Sequence, residues 1–161
     1  MEGVVNVGSP RRNPPTRNEF KYWHRIPTRW MDGDPYGHVN NAQYHSFIDT
    51  TVTYALLERG VLGDRLWTGR GLAVETHCLF FAPISFPSAV DCGLRVGHVG
   101  NSSVRYEVGL FNADQANAAA SGHLVHVYVA RETNRPIPLP DVVRQALVDL
   151  CWAPTLEPDA R

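Results

Sequence analysis

Asp32, Asp34, His38, Asn40 and Asn41 fall within ten residues of one another, in the stretch MDGDPYGHVNNAQYH over 31–45. Acyl transfer needs two kinds of group. One attacks or deprotonates, and the other donates hydrogen bonds to the oxyanion of the tetrahedral intermediate. A carboxylate and a free backbone amide would supply both. Asp, Pro, Gly and Asn are also the ordinary residues of turns, so Asp32 or Asp34 can equally serve only to cap the bend.

The elements around the stretch decide what it can present. Downstream, Tyr44, Phe47, Ile48, Val52, Ala55 and Leu56 share one broad helical face, predicting a helix over 41–59 closed by Gly60. Asn40 is placed as its N-cap and Gln43 at N3 as the partner of a capping box, with Val39 and Tyr44 as a hydrophobic staple. Asn41 is then the first helical residue. Its N–H has no acceptor within the helix and lies at the positive end of the helix dipole. Upstream, Pro35 fixes its own φ and Gly37 permits a positive one, which turns the chain sharply before the helix.

Phe20, Tyr22, Ile26 and Trp30 share one parity and predict a half-buried strand over 20–30, with an edge or a bulge at Pro27. Further strands are expected over 72–82, 90–97, 104–111 and 119–131, with HVGNSS as the hairpin loop between the second and third of these. Asp141 is placed as the cap of a short amphipathic helix carrying Val142, Val143, Ala146, Leu147 and Leu150. Four consecutive strands with short links favour an antiparallel sheet, and the apolar helix face must be covered by it. The class is α+β, a sheet on a helix.

A chain of 161 residues, 43% hydrophobic and 19% charged, is of a length and make-up for one globular domain. A net charge of -1 points to neither nucleic acid nor an anionic membrane as a partner. Cys78, Cys92 and Cys151 have no short pair spacing and read as free thiols packed among apolar residues, which fits a reducing, cytoplasmic setting. No run approaches the roughly 18 apolar residues of a membrane span. The Pro- and Arg-rich start carries no signal core and reads as a flexible tail over 1–18, leaving a domain over 19–152 and a short tail over 153–161.

The string RWMDGDPYGHVNNAQYHSFID resembles the signature of the 4-hydroxybenzoyl-CoA thioesterase family, among the hot-dog-fold acyl-CoA thioesterases. The likeness continues in LFFAPISFPSAVD, GNSS and HVYVARETNRPIPLP, and so covers about residues 20–150. It implies a long central helix wrapped by an antiparallel five-stranded sheet, and a homodimer or homotetramer with active sites at the subunit interface. It implies hydrolysis of an acyl-CoA, or an acyl carrier protein thioester, without metal or cofactor. Asp34 takes the position of the family's catalytic carboxylate, as nucleophile or as general base. Asn41 takes that of the oxyanion amide.

His38 stands where several family members carry an aliphatic residue. It is the third catalytic candidate, with three roles open to it: a hydrogen bond to Asp34, contact with substrate, or capping of the loop. Gly37, Tyr44, Ser103 and Arg105 are the expected substrate contacts. Alternation nevertheless puts Arg95 and Arg105 on the face opposite the apolar residues, where solvated arginines are ordinary. The aromatic rings of Tyr44, Phe47, Phe80, Phe81 and Tyr106 suit either an acyl pocket or the core.

Other constellations carry less. His123 and His126 are three apart on a strand and point to opposite faces. His38 and His45 lack the i, i+4 spacing of a zinc pair. Asp49 reads as a hydrogen-bonded helix-interior acid, with a second catalytic role as the alternative. Glu75, on a strand face with His77, reads as a polar strand position, with a place in the pocket lining as the alternative. The rival function class is a non-hydrolytic protein of the same fold, either an acyl-binding module or a hydratase/dehydratase.

Overall fold

Alternating apolar residues build most of the chain into one sheet. The computed structural model describes residues 13–62 and 69–152, so residues 1–12 and the whole of the expected C-terminal tail lie outside the described residues. In chain order the elements are β1 (Tyr22–Pro27), α1 (Asn41–Glu58), β2 (Arg70–Phe80), β3 (Ala89–Val99), β4 (Ser103–Asn112), β5 (Ala120–Val129) and α2 (Asp141–Val148). The strand order is β1-β3-β4-β5-β2, and every neighbouring pair is antiparallel. A long helix wrapped by a five-stranded antiparallel sheet, with a short C-terminal helix, is the expected hot-dog arrangement. Pro27 closes β1 at the sheet edge, where its missing N–H costs no ladder bond.

α1 is held by what it buries rather than by propensity. Ile48, Thr50, Thr51, Val52 and Thr53 form a β-branched run that disfavours helix. Yet Tyr44, Phe47, Ile48, Val52, Ala55 and Leu56 are all buried against the sheet. Complete burial of one large apolar side chain contributes about 1.5–3 kcal/mol, several times the local penalty. Thr51, also buried, satisfies its hydroxyl on the Phe47 carbonyl at 2.7 Å. The helix ends where expected, with Gly60 at φ 67 just past it.

Several local expectations are corrected. Trp30 does not extend β1; it opens a 3-10 turn, Trp30–Asp32, and is 83% exposed. Asp141 is the first residue of α2 rather than its cap, a place taken by Pro140, and Val142 is exposed while Val143, Leu147 and Leu150 are buried. Residues of the expected N-terminal tail lie against the sheet. The Pro15 carbonyl accepts the Ala118 N–H at 2.9 Å, and Arg17 pairs with Asp91 at 3.0 Å. Phe20 then packs edge-on to Phe111 on the sheet face away from α1. Gly93 and Gly109 lie beneath the Phe20 ring, where a Cβ would come within 2.8 and 2.6 Å of it.

Candidate active site

The two aspartates of the turn have different work. Asp32 is fully buried. Its carboxylate accepts the Arg29 backbone N–H at 2.7 Å and the Arg29 guanidinium at 2.7 Å. Burial alone would raise this carboxyl, but the bonds from Arg29 outweigh it and hold the group below the usual carboxylate range. The Asp32 carbonyl accepts the Asn40 N–H at 2.8 Å. Asp32 therefore ties the strand exit to the helix start.

Asp34 lies between, in a tight bend. Its N–H donates to the His38 carbonyl at 2.7 Å, and its own carbonyl accepts the Gly37 N–H at 3.1 Å. Gly37 has φ 84, the left-handed conformation that closes the bend. Oδ1 of Asp34 accepts the backbone N–H groups of Tyr36 at 2.9 Å and His38 at 3.2 Å. Oδ2 has no hydrogen-bond partner among the described residues. One oxygen fixes the carboxylate and the other is left without a partner among the described residues.

The helix start is capped as expected in part. Oδ1 of Asn40 accepts the Ala42 N–H at 2.9 Å, and the Asn40 carbonyl accepts the Gln43 N–H at 2.9 Å. The capping box does not form, because the Asn40 N–H that Gln43 would take is already given to Asp32. The Asn41 N–H is left without an acceptor among the described residues.

Asp34 and Asn41 line one open pocket of about 580 Å³, together with His38, Tyr44, Phe80 and Pro83. The turn, the start of α1 and the end of β2 converge there. The turn is held to the segment after β2 by the Val39 N–H on the Ile84 carbonyl at 2.7 Å. Tyr44 and Phe80 meet edge-on with ring centroids 4.9 Å apart. A fixed carboxylate oxygen, an unpaired amide at a helix N-terminus and an apolar wall are what addition to a carbonyl carbon uses.

Other expected residues lie elsewhere. Gly37 shapes the turn without lining the pocket. His38 holds Asp34 through its backbone and also lines the pocket. Ser103 sits at the β3–β4 hairpin, its carbonyl accepting the Gly100 N–H at 2.8 Å. Arg105 lies on the opposite face of the sheet, as alternation required, paired with Glu107 at 3.4 Å and Glu75 at 3.8 Å and bonded to His123 at 2.9 Å. Arg95 joins the same face, paired with Glu19 and Glu107.

Of the ring candidates, Tyr44, Phe80 and Phe81 line the pocket, while Phe47 and Tyr106 are core. Two further readings change. Glu75 is not a bland strand position, since it meets His123, on which His77 stacks at 5.2 Å. Asp49 is exposed and makes no hydrogen bond among the described residues. Sequence reasoning also missed the bond from Nδ1 of His45 to Oγ1 of Thr76 at 2.9 Å. No spacing in the sequence points to it. Among the described residues, no cluster of three or more His, Cys, Asp or Glu is placed to hold a metal ion, and no helix is long and apolar enough to cross a membrane.

The family model described as the thioesterase-like superfamily matches residues 28–147. Among solved structures, the chain is similar to the PA5185 protein of Pseudomonas aeruginosa, at 45% identity and TM-score 0.81, over 86% of this chain and 96% of that one. It is similar to PA2801 of the same organism, named as a thioesterase candidate, at 28% identity and TM-score 0.71, over 79% of this chain and 98% of that one. Slr0204 of Synechocystis, a 1,4-dihydroxy-2-naphthoyl-CoA thioesterase, shares the fold at 19% identity and TM-score 0.71, over 80% of this chain and 96% of its own. No curated protein matches the chain.

Proposed function

This chain belongs to the thioesterase-like superfamily, and on that premise we propose that it hydrolyses an acyl-CoA thioester to the free acid and CoA. The observation that carries the reading is the meeting of Asp34 and the unpaired Asn41 amide in one pocket. Asp34 attacks the thioester carbonyl through Oδ2, and the Asn41 N–H holds the developing oxyanion. One such donor is worth roughly 10²–10³-fold in rate. The nucleophilic route is preferred because an ordinary carboxylate is a weak base at neutral pH, whereas a covalent intermediate splits one hard step into two. Tyr44 and Phe80 flank the acyl group.

The working unit in this reading is a homodimer or larger, with the site at the subunit interface. The exposure of β2 along most of its length, at the sheet edge, supports this, since an open edge is a template for another strand. A panel of acyl-CoA esters assayed with a thiol-detecting dye tests the activity. The native protein releases thiol and Asp34→Asn does not. Binding without release by the native protein, or full activity in Asp34→Asn, overturns the reading.

A further inference from the structure

His45 stands one helical turn after Asn41, about 6 Å along the axis at 1.5 Å per residue. Helical side chains lean back toward the N-terminus, so the ring of residue 45 covers the turn that begins at Asn41. It is also the residue after Tyr44, and Tyr44 lines the pocket. Its Nδ1 is engaged by Oγ1 of Thr76 at 2.9 Å. Thr76 shares one face of β2 with Cys78 and Phe80, and Phe80 lines the pocket against Tyr44. The His45–Thr76 pair thus stands outside the residues that line the pocket, next to Tyr44 on α1 and on the same face of β2 as Phe80.

Two features mark this imidazole out. Its Nε2 has no hydrogen-bond partner among the described residues, while Nδ1 is fixed across 31 residues of sequence. An imidazole with one nitrogen anchored and the other free is the arrangement of an oriented proton carrier. The charged group facing it along α1 is Asp49, one turn further on, exposed and without a hydrogen bond among the described residues. From β2 it is faced by the neutral Thr76.

We propose that His45 is a catalytic residue of this site, first as acid to the departing sulfur and then as base to water, with Thr76 as its positioning residue. The inference rests on the Asp34–Asn41 reading above. An Asp34 carboxylate oxygen adds to the thioester carbonyl carbon, and the tetrahedral intermediate collapses with breakage of the C–S bond. The electron pair leaves on sulfur, which takes the Nε2 proton of the His45 imidazolium and departs as a thiol. His45 is now neutral, its Nδ1–H donating to Thr76. Water then attacks the mixed anhydride and gives a proton to Nε2, which regenerates the imidazolium and releases the acid and Asp34. The sum is thioester plus water giving acid plus thiol.

The test is leaving-group dependence. The native protein, Asp34→Asn, His45→Gln, Thr76→Val and Thr76→Ser are assayed for kcat/KM on one acyl group carried by an alkyl thiol and by an aryl thiol. The aryl thiol is a good leaving group without a proton. His45→Gln should lose roughly 10²–10⁴-fold on the alkyl thioester and stay within a few-fold of native on the aryl one. Thr76→Val should show a weaker form of the same split, and Thr76→Ser, which keeps the hydroxyl, should not. Equal losses on both esters, or no loss, overturn the role of His45. Retained activity in Asp34→Asn instead overturns the reading beneath it. Melting curves confirm that each variant is folded.

Discussion

The backbone carbonyl of Asp32 accepts the N–H of Asn40 at 2.8 Å, while the Asp32 carboxylate is clamped by Arg29. This bond spans the turn at its base. It takes the donor that a capping box would have used. Asp34, at the tip, keeps one carboxylate oxygen without a partner among the described residues, while both oxygens of Asp32 are taken by Arg29.

Asp32→Asn keeps the shape but loses the charge that Arg29 pairs with. It is expected to cost about 1–3 kcal/mol at pH 7, the range for a buried group whose hydrogen-bonding partner is lost. The native Asp32 carboxyl is lowered on folding, so it binds protons less readily folded than unfolded. Its stabilisation is therefore present above the unfolded value, near pH 4, and is lost as pH falls through the lowered folded value. Urea unfolding at pH 7 and pH 3 should show the difference between native and variant shrinking at the lower pH. A difference that grows on acidification would contradict the clamp.

Gly37→Ala tests the bend. Nothing lies within 4 Å of the added Cβ, so the whole cost is that of holding an L-residue at φ 84. That cost is about 1–2 kcal/mol. The strain acts on the segment that fixes Asp34, so kcat should fall by more than KM rises. Thermal denaturation and steady-state kinetics on the same preparation measure both.

Arg105→Gln should leave KM for acyl-CoA within twofold of native. Arg105 faces away from the pocket and is occupied by Glu75, Glu107 and His123. Its loss should show in stability instead, by less than about 1 kcal/mol, as for other part-exposed ion pairs. A tenfold rise in KM would mean that the outer face binds the CoA phosphates.

A single turnover in ¹⁸O water reports how Asp34 acts. If Oδ2 is the nucleophile, water attacking the Asp34 side of the anhydride leaves ¹⁸O in the Asp34 peptide, detectable by mass spectrometry after digestion. Label in the released acid alone, with no acyl-enzyme captured by rapid quench, would instead make Asp34 a general base.

Local chemistry was legible in the sequence, because it is written in neighbouring or periodic residues. Asn40 announced the helix start and Gly60 its end, since orphan backbone groups must be met within a few residues. Alternation put Arg105 and Arg95 on the outer face before any fold was known, because successive strand residues must point to opposite sides. The resemblance already separated Asp34 from Asp32; the tertiary structure added that Asp32 is buried and that the Ile84 carbonyl holds the turn through the Val39 N–H. It alone brought Thr76 to His45 and Glu75 to His123, pairs that no spacing in the chain announces. Such contacts form only when an edge strand is laid beside a helix or another strand, and the energy that places the strand comes from the buried core rather than from the polar residues it brings together.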